Sequence, residues 1–206
     1  MPLLFKQEDP LMGVWRLEET SGELLALLSH PAWYEPTLQQ FALEKRRCEW
    51  LACRVLLKEL IGEELPVSYH PNGAPYIAGF SGTISFSHTK GYVAALVSDR
   101  DMAGIDIECQ GLRTFKMRHR FMNEAELASS DGATAADYAL LHWCAKETLF
   151  KMIGQQKVDF REHLHIFPFR YATQGSFEVK ETRTSSRYAY QLHFYLTPEF
   201  ALTWSE

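Results

Sequence analysis

The sequence predicts an α+β protein made of two pseudo-duplicated halves, each a long helix packed on a mainly antiparallel sheet. Three observations carry this. Two stretches of good helix formers lack internal Gly and Pro, and each runs to a glycine, Gly62 and Gly154, a common helix stop. The ten residues Glu49 to Lys58 can be laid over His142 to Lys151 at one constant offset, matching Trp, Ala, Leu and Lys. β-rich sequence then follows each helix. The competing arrangement is a single α+β domain whose two helices resemble each other by chance.

Taken in order, the first helix ends at Gly62 and is followed by two strands, Thr83 to Ser87 and Tyr92 to Val97. The junction falls near Ser98-Asp99-Arg100-Asp101, giving an N-terminal half over 1–100 and a C-terminal half over 101–206. Gly104-Ile105-Asp106-Ile107-Glu108 reads as a strand, because period-two geometry sends both isoleucines to one face and both carboxylates to the other. The second helix ends at Gly154, and strands are expected at His163 to Phe167 and Arg187 to Leu196. In the latter, Tyr188, Tyr190, Leu192, Phe194 and Leu196 alternate with Ala189, Gln191, His193 and Tyr195.

Composition narrows the function classes. Of 206 residues, 46% are apolar and 23% charged, enough for a real core. The net charge of −5 argues against non-specific nucleic-acid binding, which wants a basic footprint. No apolar run reaches the length of a membrane span, and the N-terminus turns acidic at Glu8-Asp9 where a signal peptide needs apolar residues. The expected location is the cytoplasm. Cys48, Cys53, Cys109 and Cys144 lack paired zinc spacing and read as reduced thiols.

The chemistry concentrates in two motifs, Gly104 to Glu108 and Trp143-Cys144-Ala145-Lys146-Glu147. Asp106 and Glu108, roughly 7 Å apart along a strand, can converge on one divalent ion. Their hard oxygens suit Mg²⁺, which keeps positions open for water and phosphate oxygens, and Glu147 would be a third ligand. Trp143, Glu147 and Lys151 are spaced by four and share a helix face, with Lys146 about 100° away from Glu147. A carboxylate there can bind metal or take a hydroxyl proton, and a lysine can offset charge on a departing phosphate. This fits a Mg²⁺-dependent transfer from a diphosphate, in a site expected between the halves. The plain alternative is a surface helix with an i,i+4 Glu/Lys pair.

Cations for a phosphate-rich ligand occur earlier, at Lys45, Arg46, Arg47 and Arg54 on the first helix, although one helix cannot aim all of them in one direction. The alternative is a solvated basic face balancing Glu44 and Glu49. Phe86-Ser87-His88-Thr89-Lys90-Gly91 reads as a strand running into a turn that presents a hydroxyl and an imidazole, either a phosphate contact or a capped turn. His163 and His165 have no nearby carboxylate in sequence and read as structural.

In this order, Asn72-Gly73-Ala74-Pro75, Ser87-His88, Gly104-x-Asp106-x-Glu108 and Trp143-x-x-Lys146-Glu147-x-x-x-Lys151 resemble the signature of the 4′-phosphopantetheinyl transferases, in particular the longer, monomeric Sfp-type branch with two halves. The resemblance covers about Phe41 to Gly154. It implies transfer of the phosphopantetheine arm of coenzyme A to a serine of an apo acyl or peptidyl carrier protein, releasing 3′,5′-ADP. It further implies that Asp106, Glu108 and Glu147 hold Mg²⁺ and that Glu147 deprotonates the serine, directly or through water. Lys146 and Lys151 would lie near the diphosphate. His88, with Ser87 beside it, would contact a coenzyme A phosphate, and the stretch around Lys45, Arg47 and Arg54 the 3′-phosphate. Ala74 departs from the pattern, standing where the family often has lysine, so one adenosine or phosphate contact differs here.

Carrier proteins of this type are acidic near the modified serine, so an acidic enzyme needs a local basic surface. Arg113, Lys116, Arg118, His119 and Arg120 cluster after the acidic strand, interleaved with Phe115, Met117, Phe121 and Met122 as apolar anchors; the alternative is a mobile charged loop. Two other classes fit the same carboxylates. One is a Mg²⁺-dependent phosphohydrolase that needs no carrier. The other is a non-catalytic module that binds coenzyme A or a carrier.

Overall fold

A computed structural model of the chain describes residues 2–130, 132–184 and 189–205. The chain divides into two compact units, Met1–Asp101 and Met102–Glu206. Among the described residues, every strand pair in both is antiparallel.

The first unit opens with a hairpin, β1 (Leu3–Glu8) and β2 (Leu11–Arg16), followed by short helices α1 (Ser21–Ala26) and α2 (Glu35–Leu38) and the long α3 (Glu44–Ile61). A small hairpin, β3 (Val67–Tyr69) with β4 (Pro75–Ile77), precedes β5 (Thr83–Thr89) and β6 (Tyr92–Ser98). The sheet runs β1-β2-β6-β5. Leu51, Val55 and Leu56 of α3 join one apolar cluster with Trp15, Ile84, Val93 and Ala95 of the sheet, so burial of this helix face fixes α3 on the sheet. The helix stops where Gly62 takes a left-handed conformation, φ 86°, and returns its N–H to Lys58 O.

The second unit begins with β7 (Ile105–Cys109), α4 (Leu112–Met117) and a 3-10 turn at Arg118–Arg120. Then come α5 (Glu124–Ala128), the long α6 (Ala135–Ile153), α7 (Phe160–His163), β8 (Leu164–Ile166), β9 (Gln174–Glu181), β10 (Ala189–Leu196) and β11 (Phe200–Ser205). The five strands run β7-β11-β10-β9-β8. Leu141, Cys144, Ala145 and Leu149 of α6 pack on Val179, Leu192, Phe194 and Ala201. Gly154, φ 58°, ends α6 as Gly62 ends α3.

Several elements differ from the sequence expectations. The N-terminal hairpin, β9 and β11 were not anticipated. His163 does not join a strand. Asp159 accepts from the backbone N–H of Arg161 and Glu162, winding a helical turn, and His163 closes it by accepting from Asp159 N at 2.9 Å. Strand β5 extends past Ser87, which is buried within it and not presented at a turn. Arg187 and Tyr188 lie outside the described residues; downstream, Leu192, Phe194 and Leu196 are buried while Gln191 and Tyr195 are exposed. All four cysteines are free thiols. Among the described residues, no helix is long and apolar enough to cross a membrane.

His142, near the middle of α6, is buried and donates from Nδ1 to Tyr138 O at 2.7 Å. Burial lowers its pKa from 6.5 to about 4. The unfolded chain takes up a proton below pH 6.5 that the folded chain refuses, so this stability is present above 6.5 and declines as pH falls toward about 4. We expect the urea midpoint to drop between pH 6.5 and 4.5, and to drop less in His142→Leu. An unchanged pH slope in that variant would assign the loss to other groups.

Candidate functional site

In β7, Ile105 and Ile107 are buried on one face and Asp106 and Glu108 occupy the other. Asp106 lies opposite Thr203 of β11, and Thr203 is hydrogen-bonded to Thr148 of α6 at 2.6 Å between hydroxyls. The carboxylate face of the strand is therefore the face that carries α6. Gly104 explains how close the two come: a Cβ there would stand 2.6 Å from Thr148 O and 3.0 Å from Met152 Cγ. The requirement is for space. Gly104 is also clamped to β11, donating to Ser205 Oγ at 2.9 Å while Ser205 N returns a bond to Gly104 O.

Over this strand, α6 presents Glu147 and, one turn on, Lys151. The Lys151 ammonium donates to Asp106 Oδ1 at 2.7 Å and to Ile105 O at 2.8 Å. Asp106 is 5% exposed. Glu108, partly buried, accepts from Cys109 N and lies 4.0 Å from the exposed Arg113 guanidinium. The Glu147 pKa rises from 4.5 to about 7, chiefly through burial, then through Asp106, partly relieved by Lys151, and further through Glu108. One ammonium and a more distant guanidinium thus face three carboxylic groups, which leaves the site short of positive charge. Beneath them, burial and the charges of Asp106 and Glu108 push the Cys144 thiol well up, so it stays protonated.

Among the described residues, no three or more Asp, Glu, His or Cys side chains are gathered closely enough to hold a metal ion by themselves. The donor set nevertheless suits Mg²⁺, which takes one or two carboxylates and completes its shell with water and phosphate oxygens. Hard oxygen donors, excess negative charge and a carboxyl whose proton a cation would displace all favour such an ion. Asp106, Glu108 and Glu147 are the residues that would hold it.

Lys146 is not part of this group. Its side chain has no exposure, and its ammonium donates to Phe121 O at 2.7 Å, Glu126 Oε2 at 2.7 Å and Phe160 O at 3.0 Å. Burial lowers its pKa despite the Glu126 carboxylate beside it. Phe121 and Met122, expected as surface anchors, are buried with Ala139 and pack on Trp143. Of the basic segment, Arg113, Lys116 and Arg120 line one open groove with Leu112 and Met117. Arg118 lies outside that lining; it donates to Phe115 O and stacks 3.9 Å from the Phe115 ring.

In the first unit, the cations of α3 separate. Glu49, 6% exposed, faces Lys45 at 3.5 Å, Arg46 at 3.7 Å and His88 Nδ1 at 3.6 Å. Arg46 Nη1 is 2.6 Å from His88 Nε2. A guanidinium can only donate, so Nε2 accepts and the ring proton sits on Nδ1, toward Glu49. Arg47 instead donates to Phe41 O, with Glu44 3.9 Å away. Arg54 is buried: its guanidinium lies 3.8 Å from the Trp50 ring centroid, near Tyr69 and Phe86, and bonds Trp50 O and the Tyr69 hydroxyl. That placement makes Arg54 a core cation, whereas Lys45, Arg46 and His88 share one partly exposed cluster. Ala74 follows the turn of the small hairpin, where its N–H bonds Asn72 Oδ1 at 3.1 Å.

Sequence reasoning named Arg46 among the candidate cations but passed over Glu49 and Glu126 as site-forming residues. Both are acidic residues on helices, indistinguishable in sequence from a solvated face, and only a buried position sets them apart. An antiparallel sheet, a covering helix, and carboxylates and a lysine that face each other from strand and helix make up the site of the second unit. The sequence model described as ACPS, 4′-phosphopantetheinyl transferase superfamily, matches residues 102–204, half of the chain. The chain belongs to the 4′-phosphopantetheinyl transferase superfamily. A comparison with curated proteins finds no match.

Two outcomes are expected from this geometry. Gly104→Ala should cost about 1–3 kcal/mol of stability, because its Cβ meets helix backbone that cannot yield like a side chain. It should also impair any activity dependent on Glu147 facing Asp106, measured as loss of turnover at a temperature where the variant remains folded. Glu147 sets a second expectation. Its folded pKa is raised, so the folded chain holds a proton that the unfolded chain releases above pH 4.5, and stability declines as pH rises from about 4.5 through 7. Glu147→Gln should remove that decline, and added Mg²⁺ should reduce it in the unaltered protein. Thermal midpoints across this range, with and without Mg²⁺, check both statements.

Proposed function

We propose that this chain is a cytoplasmic, monomeric phosphopantetheinyl transferase of the Sfp-type branch, a holo-carrier-protein synthase that uses coenzyme A and Mg²⁺. The observation that carries the proposal is the facing of Asp106 and Glu108 on β7 by Glu147 and Lys151 on α6, inside the region matched by the superfamily. Pseudo-duplication is part of the proposal. The matched residues Trp50 and Trp143, Ala52 and Ala145, Leu56 and Leu149, and Lys58 and Lys151 fall on α3 and α6, each lying on an antiparallel sheet and ending at a left-handed glycine.

In the proposed reaction, the serine Oγ of an apo carrier attacks the β-phosphorus of coenzyme A. The new O–P bond forms as the bond to the leaving 3′,5′-ADP oxygen breaks, and the serine proton passes to Glu147, directly or through water. Mg²⁺, held by Asp106, Glu108 and Glu147, would supply charge stabilisation at the diphosphate. Lys151 leaves Asp106 to meet phosphate oxygens, adding a mobile positive charge. In the first unit, Lys45, Arg46 and His88 are proposed to meet a coenzyme A phosphate, with Ser87 beside them, and Arg47 and Arg54 to support the segment that presents them. Arg113, Lys116 and Arg120, with Arg118 behind them, are proposed to dock the acidic carrier.

Intact mass of a panel of apo fatty-acid, polyketide and peptide carriers, after incubation with the protein, coenzyme A and Mg²⁺, tests this directly. We expect one carrier to gain a single phosphopantetheine, with chelator abolishing the gain and Asp106→Ala slowing it at least about 100-fold. Coenzyme A bound but never transferred would instead identify a binding module. Carrier-independent hydrolysis of the diphosphate would identify a phosphohydrolase.

A further inference from the structure

We infer that Lys146 is a positioning residue for carrier recognition, which acts by locking the basic segment to the helix that bears Glu147, and that it does not contact the diphosphate. The inference deepens the transferase proposal and rests on it. Its basis is a complete pairing. An ammonium has three hydrogens to donate, and Lys146 gives them to three acceptors, the main-chain carbonyls of Phe121 and Phe160 and the Glu126 carboxylate. With no solvent exposure and no hydrogen left to offer, it cannot take up a phosphate without breaking a buried ion pair.

The other half of the pair is equally committed. Glu126 Oε2 also accepts from Asn123 N at 2.9 Å, completing a reciprocal cap in which Asn123 Oδ1 accepts from Glu126 N, while Glu126 Oε1 accepts from Ile166 N at 2.8 Å. Lys146 and Glu126 therefore join the exit of the Arg118–Arg120 turn, the start of α5, the start of α7 and the end of the edge strand β8 to α6. The basic groove of Leu112, Arg113, Lys116, Met117 and Arg120 lies immediately upstream of the fastened carbonyl of Phe121. Neighbouring residues on α6 point about 100° apart. Glu147 turns to the acidic strand, and Lys146 turns to the segment that would meet the carrier. Two consecutive residues on one helix thus set the distance between the docking groove and the reacting centre.

A double-mutant cycle with Lys146→Met and Glu126→Gln in the full chain tests this. Each single variant leaves a buried group unpaired, and the double variant removes both charges, so the expected signature is partial rescue of the thermal midpoint in the double. Calorimetry with coenzyme A and Mg²⁺ should give a Kd for the double within about three-fold of the unaltered protein, while KM for the carrier rises by about ten-fold or more. Lys151→Ala serves as the diphosphate-contact reference. If Lys146→Met does not fold, a double variant that does fold is itself the rescue. Additive losses of stability, or a Kd for coenzyme A weakened as much as in Lys151→Ala, would overturn the inference. Failure of the function itself looks different: the unaltered protein then modifies no carrier, while the thermal cycle, which needs neither carrier nor coenzyme A, still reads the pair.

Discussion

The absence of a side chain at Gly104 sets the geometry of the second unit. Where an alanine methyl would strike the carbonyl of Thr148, the glycine lets α6 settle against the start of β7, and the Thr148–Thr203 hydroxyl contact and Lys151–Ile105 bond follow from that closeness. Side chains from helix and strand then share a space too small and too dry to keep their charges apart. The raised pKa of Glu147 is the direct result. A site rich in like charge is stable only if something rigid forces the groups together, and here backbone packing does so.

The other buried charges follow a second rule, that an ion removed from water must be fully paired. Glu49 is ringed by Lys45, Arg46 and His88, Arg54 by three aromatic rings and two oxygen acceptors, and Lys146 by three acceptors. Breaking such a pair by removing one partner typically costs about 3–5 kcal/mol. These residues look like ordinary surface charges in sequence, yet each fastens distant segments: Glu49 joins α3 to β5, and Lys146 joins α6 to the turns around α5 and α7.

This explains which parts were legible beforehand. The two long helices and their glycine ends were readable because both signals are local, and β7 and the downstream part of β10 because one face is apolar and the other polar. Strands β2 and β11 escaped for the opposite reason. Leu11–Arg16 and Phe200–Ser205 are buried at nearly every position, so alternation vanishes and the apolar run could equally belong to a helix. β9 escaped because Gln174–Glu181 is largely polar and alternates only at Phe177 and Val179. For the site, the family resemblance put Lys146 near the diphosphate with Lys151, even though its direction, about 100° from Glu147, was legible along the helix. Only the packing reveals which side each residue serves.

The union of Lys151 with Asp106 also bears on the order of events at the centre. The strand is clamped to β11 and the helix is seated on glycine, so the backbone has little freedom to open for an incoming ligand. The part free to move is the lysine side chain, a quarter exposed and held by two bonds. Partly exposed side chains change rotamer within about picoseconds to nanoseconds, far faster than lids or domains swing. Of the groups that face each other here, Lys151 is thus the one whose rearrangement asks for no movement of the backbone.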